Sequence, residues 1–376
     1  MTDATDATDA AESTDAAEST DVTDVTEPTD ATEPTDVTKP TDVTDVTEPA
    51  NATDAAGPTE FTALPDLALR TLGGAVVAAN DESFAERESL IRPGRPGFMP
   101  HTFGAKGQVY DGWETRRRRE PGHDWALVRL GMPGVVRGVV IDTAWFKGNY
   151  PPYASVEAVE VEGYPTVAEL EAADWVEIVP RSGLRGDAEH LFAVSGERRY
   201  THVRLNMFPD GGIARLRVHG EVRPDLSLYE GLGLDLAALE NGALVTACSN
   251  EFYSSPNNAI SPGLARHQAE GWETARRRDG GNDWLVIRLA GSGVVGLAEI
   301  DTTNLVFNAP AEVSVTGSAD GTTWFPLLPR TRLLPDTRHR FRIRDAPAAT
   351  YARVDIYPDG GLARVRLHGF LTETES

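Results

Sequence analysis

The chain has 376 residues, enough for two domains, and a formal charge of −23. Residues 1–60 hold 17 Asp and Glu against the single Lys39, about −16 of that charge, so the remainder carries only −7 (−23 + 16) and shows no nucleic-acid footprint. Cys248 is the only cysteine, which excludes an intrachain disulfide and a Cys-rich zinc site; with no apolar run long enough to span a bilayer and no basic and apolar N-terminal signal, the cytoplasm is the expected location, away from membranes.

Residues 1–60 repeat T-D-A, T-D-V and T-E-P units almost without aromatics, and such a segment buries too little apolar surface to offset the entropy of ordering. A disordered acidic tail is expected there. A first ordered unit is expected over 64–223. After the short apolar patch Gly74–Ala79, the Gly and Pro density of Asn80–Phe98 predicts loop. Then come seven strand-like runs: Trp125–Leu130, Val135–Thr143, Ser155–Glu162, Trp175–Val179, His190–Val194, Thr201–Phe208 and Ile213–His219. They predict an all-β antiparallel sandwich with one short helix at Thr166–Ala173. Val203, Leu205 and Met207 alternate with polar residues, as do Leu216 and Val218, and Pro209-Asp210-Gly211-Gly212 between them reads as the turn of a hairpin.

The plan then repeats over 224–372. DGWETRRRREPGHDW (Asp111–Trp125) returns as EGWETARRRDGGNDW (Glu270–Trp284) without a gap, at an offset of 159 (270 − 111). FPDGGIARLRVHG (Phe208–Gly220) returns as YPDGGLARVRLHG (Tyr357–Gly369), and Asn250-Glu251-Phe252 reads as the answer to Asn80-Asp81-Glu82. Two tandem copies of one β-sandwich follow, with a boundary near Pro224.

The repeated stretch mixes an indole, a carboxylate, a hydroxyl and an arginine cluster, which suits a working loop better than a core element. Glu114, His123, Asp124 and Asp142 are the nearby proton carriers, although Asp124 and Asp142 could equally bond backbone amides and the arginines. One or two arginines of Arg116–Arg119 could hold a small carboxylate through the bidentate fork. No HExxH, G-x-S-x-G or Walker pattern is present.

The combination of NDESFA, DGWETRRRR, PGHDW, IDTAWFKGNYPP and THVRLNMFPDGGIARLRV, with the second GWET-x-RRR, GNDW and YPDGGLARVRL, resembles the allantoicase (allantoate amidinohydrolase) family over about Asp66–Phe370. The resemblance implies two jelly-roll-like domains of the galactose-binding type. It also implies a homo-oligomeric hydrolase of linear amidines that converts allantoate and water to ureidoglycolate and urea in purine breakdown. For such a substrate, Arg116, Arg117 or Lys147 would take the carboxylate. Thr115, Asn149 and the Asp210-Gly211-Gly212 turn would bind the ureido groups, and Glu114, His123 and Asp142 would carry the acid–base chemistry. No cofactor is specified by the residues, and a divalent metal such as manganese is left open. In the second copy Ala275, Asn282 and Val306 replace Arg116, His123 and Lys147, so the chemistry is expected in the first copy and a structural role in the second. The rival reading is a non-catalytic, discoidin-like protein binding a small ligand or carbohydrate.

Overall fold

The computed structural model describes residues 60–372, so the expected acidic tail lies outside the described residues except for Glu60. The first repeat is built from β1 (Ala75–Ala79), β2 (Asp124–Asp142), β3 (Tyr153–Val159), β4 (Val176–Gly183), β5 (Glu189–Ala193), β6 (Arg199–Phe208) and β7 (Arg215–Val222). All their pairings are antiparallel. One sheet runs β1-β2-β6-β3-β4 and the other β7-β2-β5, with β2 belonging to both. Apolar residues alternate inward: Val128, Val203, Leu205 and Val156 from the first sheet meet Val139, Leu216 and Val218 from the second, all buried.

Strand β2 is where sequence and structure differ most. The runs Trp125–Leu130 and Val135–Thr143 are one strand, which pairs with β6 from Asp124 to Arg129 and again at Gly134 and Val135, and whose second half pairs with β7 from Gly134. Gly131 permits the bend between them, since a Cβ there would stand 2.3 Å from the Leu72 carbonyl oxygen. Strands β6 and β7 are not a hairpin either. Their alternating apolar faces look at each other across the core from opposite sheets, and the Pro209–Gly212 turn carries the chain from one sheet to the other. The two-residue segment Gly212–Ile213 pairs instead with Trp113–Glu114. An apolar face every second residue is satisfied by either arrangement, so periodicity alone did not distinguish them.

The expected helix is present as α1 (Val167–Glu171), closed by a capping box between Thr166 and Glu169. The second repeat runs through β8 (Leu244–Cys248), β9 (Asp283–Asp301), β10 (Glu312–Ser318), β11 (Trp324–Arg332), β12 (Arg338–Arg342), β13 (Ala349–Tyr357) and β14 (Arg364–Leu371). It has the same two sheets, β8-β9-β13-β10-β11 and β14-β9-β12, with β9 as the shared 19-residue strand. The molecule is therefore two tandem jelly-roll-like β-sandwiches. Among the described residues no helix is long and apolar enough to cross a membrane.

Candidate functional site

The site grows out of the two-residue ladder Trp113–Glu114 against Gly212–Ile213. Trp113 points inward and is fully buried, with its indole N–H donating 2.8 Å to the Asp81 carbonyl. Neighbouring residues of a strand face opposite ways, so Glu114 points out of the core toward the loops. There its Oε1 accepts from Asn149 Nδ2 at 2.6 Å, and no arginine or lysine among the described residues pairs with it. Burial pushes the Glu114 carboxyl above its ordinary range, with the Asn149 hydrogen bond working partly against the shift.

Asn149 is brought to this place by the packing of Phe146. A Cβ on Gly212 would lie 2.1 Å from the Phe146 ring, so the ring occupies the space that a side chain at 212 would need. The Asn149 carbonyl accepts from Gly212 N at 2.8 Å, tying the far end of the same loop to the turn. Thr115 completes the latch: its amide donates to the Gly211 carbonyl at 3.0 Å, and Gly211 N donates back to Thr115 Oγ1 at 3.2 Å.

The arginine stretch is shaped by three acids. Asp81 accepts from Arg116 N at 2.9 Å and forms an ion pair with its guanidinium, Nε standing 3.2 Å from Oδ2. Although burial opposes it, the bonds from Arg116 and Ser83 hold the Asp81 carboxyl below its ordinary range. Asp210 accepts from Arg118 N at 2.8 Å, and buried Asp124 accepts from Arg118 Nη1 at 2.7 Å and from Asn80 Nδ2 at 3.0 Å. Arg117 and Arg119 are exposed and have no ion pair among the described residues. With Asn80, Asp81, Arg116, Arg118, Glu120 and Asp124 they line a cleft of about 340 Å³. Free guanidinium groups on such a loop can bind an anionic ligand, and Glu114, which does not line this cleft, is a half-buried carboxylate able to move a proton.

Three of the expected site residues make other contacts. His123 packs on Phe208, with ring centroids 4.7 Å apart, and lines a separate groove on the outer face of the five-stranded sheet with Trp125, Glu157 and Arg204. Asp142 is the last residue of β2 and nearly buried, and its Oδ1 accepts from Ala144 N at 2.8 Å. Burial raises its carboxyl and neighbouring Glu189 adds to that, while Ala144 N, Arg215 and Arg217 pull the other way. Lys147 is exposed and its ammonium reaches Asp187 at 3.6 Å.

Asp81 and Arg118 carry much of the geometry; in the sequence Arg118 stands out only as one of the Arg116–Arg119 cluster, and Asp81 not at all as a site residue. The repeat correspondence could have found Asp81, but it was one residue out of register. Asn250 takes the place of Asp81, with its carbonyl accepting from Trp272 Nε1 at 2.8 Å and its side chain from Ala275 N at 3.1 Å, while Ser249 takes that of Asn80. Loop lengths differ on the two sides, and only the hydrogen bonds fix the register.

A cavity of about 1240 Å³ lies between the repeats and is lined by none of these residues. Two of its arginines are engaged: Arg266 bonds Glu270, and Arg364 bonds the carbonyls of Gly263, Asn258 and Glu270. No cluster of three or more His, Cys, Asp or Glu side chains placed to hold a metal ion occurs among the described residues.

Fold and site together define a duplicated β-sandwich protein with a carboxylate–amide pair and an arginine loop at one end of each sandwich. The family model for the allantoicase repeat matches residues 65–223 and again 234–372. A probable allantoicase of Nocardia farcinica is 59% identical over 318 residues, covering 84% of this chain and 96% of that protein. A probable allantoicase of Streptomyces avermitilis is 53% identical over 328 residues, covering 83% and 87%. The crystal structure of allantoicase from Saccharomyces cerevisiae superimposes with a TM-score of 0.72 at 35% identity, over 83% of this chain and 96% of that one. The chain belongs to the allantoicase family.

Proposed function

We propose that this chain hydrolyses allantoate to ureidoglycolate and urea in purine degradation, with the chemistry at Glu114 of the first repeat. Family membership supports the reaction. The observation that supports the location is the Glu114–Asn149 pair, a carboxylate with one oxygen bonded to an amide and no cation to neutralise it. Arg117, three residues further along the same loop and free of other ion pairs, takes the substrate carboxylate through its fork.

In the reaction a water oxygen bonds to the central carbon, the bond from that carbon to one ureido nitrogen breaks, and a proton passes to the departing urea. A carboxyl whose affinity for protons is raised by burial is suited to that transfer near neutral pH. Asn149 fixes the carboxyl's orientation, and the Thr115–Gly211 latch fixes the strand that carries it. His123, Asp142 and Lys147 stay outside this assignment because each is engaged elsewhere.

The test is to incubate the purified protein with allantoate and measure urea. Stoichiometric release of urea and ureidoglycolate is expected. A folded protein that releases neither, with or without added manganese, would refute the reaction and leave a binding protein.

A further inference from the structure

The second repeat rebuilds the site up to one point. Glu273 accepts from Asn308 as Glu114 does from Asn149, and Thr274 latches onto Gly360 as Thr115 does onto Gly211. Arg277 is held by Asp359 and Asp283 as Arg118 is by Asp210 and Asp124. Arg276 stands in the place of Arg117, exposed and without an ion pair among the described residues. The second carboxylate oxygen differs. Glu114 Oε2 has no hydrogen-bond partner among the described residues, whereas Glu273 Oε2 accepts from Gln268 Nε2 at 2.7 Å.

Gln268 and Val109 are counterparts at the same offset as the two glutamates (268 − 109 = 273 − 114 = 159). The hydrogen bonds fix that register in space two residues further on, at Asp111 and Glu270. Arg215 donates to the Asp111 carbonyl at 2.9 Å and Arg364 to the Glu270 carbonyl at 2.6 Å, again 159 residues apart (270 − 111). A valine side chain has no donor, and the buried Nε2 of the adjacent Gln108 makes no hydrogen bond among the described residues, so the contact is not made in the first repeat.

A primary carboxamide is half of a urea: a planar NH2 beside a carbonyl. Its donor on Glu273 sits where a ureido NH2 would sit on Glu114. We propose that the second repeat carries a binding site for small ureido carboxylates that is closed by its own Gln268, and that Glu114 Oε2 is the acceptor for the ligand's ureido NH2 in the first repeat. This inference rests on the placement of the substrate site argued above. A tethered group competes at an effective concentration of the order of millimolar, so Gln268 shuts out ligands of comparable intrinsic affinity. Arg276 supplies the cation for the carboxylate, and Phe307, 97% exposed beside Asn308, gives the closed site an apolar rim where the first repeat has Gly148.

The probe is N-carbamoylglycine, which has one carboxylate and one ureido group and lacks the second ureido group of allantoate. Its binding is measured by equilibrium dialysis to wild type, Gln268→Val and the size-preserving Gln268→Met. Each variant is expected to bind one more molecule per chain at saturation than wild type does. In the reverse direction, Val109→Gln is expected to raise the KM for allantoate tenfold or more, with the unfolding temperature unchanged. Equal stoichiometry in wild type and both variants, or an unchanged KM in Val109→Gln, would overturn the inference. The binding result is a difference between proteins and does not depend on turnover, so failure of wild type to hydrolyse allantoate is read separately.

Discussion

Asn149 donates to Glu114 across 2.6 Å, joining the end of the loop after β2 to the short strand that precedes it. Removing the donor leaves the carboxylate less fixed in orientation. A hydrogen bond to a charged group is worth about 1.5–3 kcal/mol, so Asn149→Ala is expected to lower kcat roughly 10- to 100-fold. Asn149→Asp sets a second carboxylate against Glu114 and raises its proton affinity further, moving the alkaline limb of the pH–rate profile, where the proton donor is lost, to higher pH. A pH–rate profile on the two variants distinguishes these effects from simple unfolding.

Glu114 also leaves a signature in stability. Its folded-state pKa lies above the ordinary value of 4.5, so the folded chain binds that proton more tightly than the unfolded chain. The stability this contributes is fully present below the ordinary value and is lost as pH rises through the raised one. Glu114→Gln removes that titration and keeps an acceptor for Asn149. Across that window, wild type is expected to lose stability relative to the variant, as read by denaturant midpoints at a series of pH values. Parallel curves would show that burial does not perturb this carboxyl.

Gly212 tests how the loop is held. An alanine Cβ would stand 2.1 Å from the Phe146 ring, and the neighbours leave no space for it. Overpacking of this kind costs about 1–3 kcal/mol. Gly212→Ala is therefore expected to lower the unfolding temperature and, by displacing Phe146, to detach Asn149 from Glu114. A loss of kcat larger than the loss of folded protein would be the mark of that coupling.

Arg117 is exposed and has no ion pair among the described residues, so its loss is not expected to affect folding. If it holds the substrate carboxylate, Arg117→Ala raises the KM for allantoate roughly 10- to 100-fold, the value of one charge-assisted pair, and weakens the dependence of KM on salt. Arg116→Ala is expected to do less, because Arg116 already spends its guanidinium on Asp81 at 3.2 Å. Steady-state kinetics at two ionic strengths compares them.

The duplication, the all-β class and the short helix were legible because they rest on motifs and periodicity that neighbouring residues carry. What was not legible depends on long-range geometry. The Val203 and Leu216 runs show the same alternation whether they pair in one sheet or face each other across two. Glu114, Thr115 and Asn149 could be grouped from their chemistry and their place on loops. That His123 turns to Phe208, and that Lys147 reaches Asp187, depends on which way each loop folds back over the sandwich. The second copy shows the same limit. Val306 replaces Lys147 there, while Asn308 in the same loop retains its bond to Glu273.

The central claim is that the first repeat carries the chemistry although both repeats hold the same carboxylate–amide pair. It is tested most directly by the kcat for urea release from allantoate in Glu114→Gln and Glu273→Gln, measured side by side on protein with native circular dichroism. The account predicts a loss on the order of 10²–10⁴ in the first, the range for a positioned acid–base group, and nearly full activity in the second. Turnover that survives in Glu114→Gln and disappears in Glu273→Gln would contradict it.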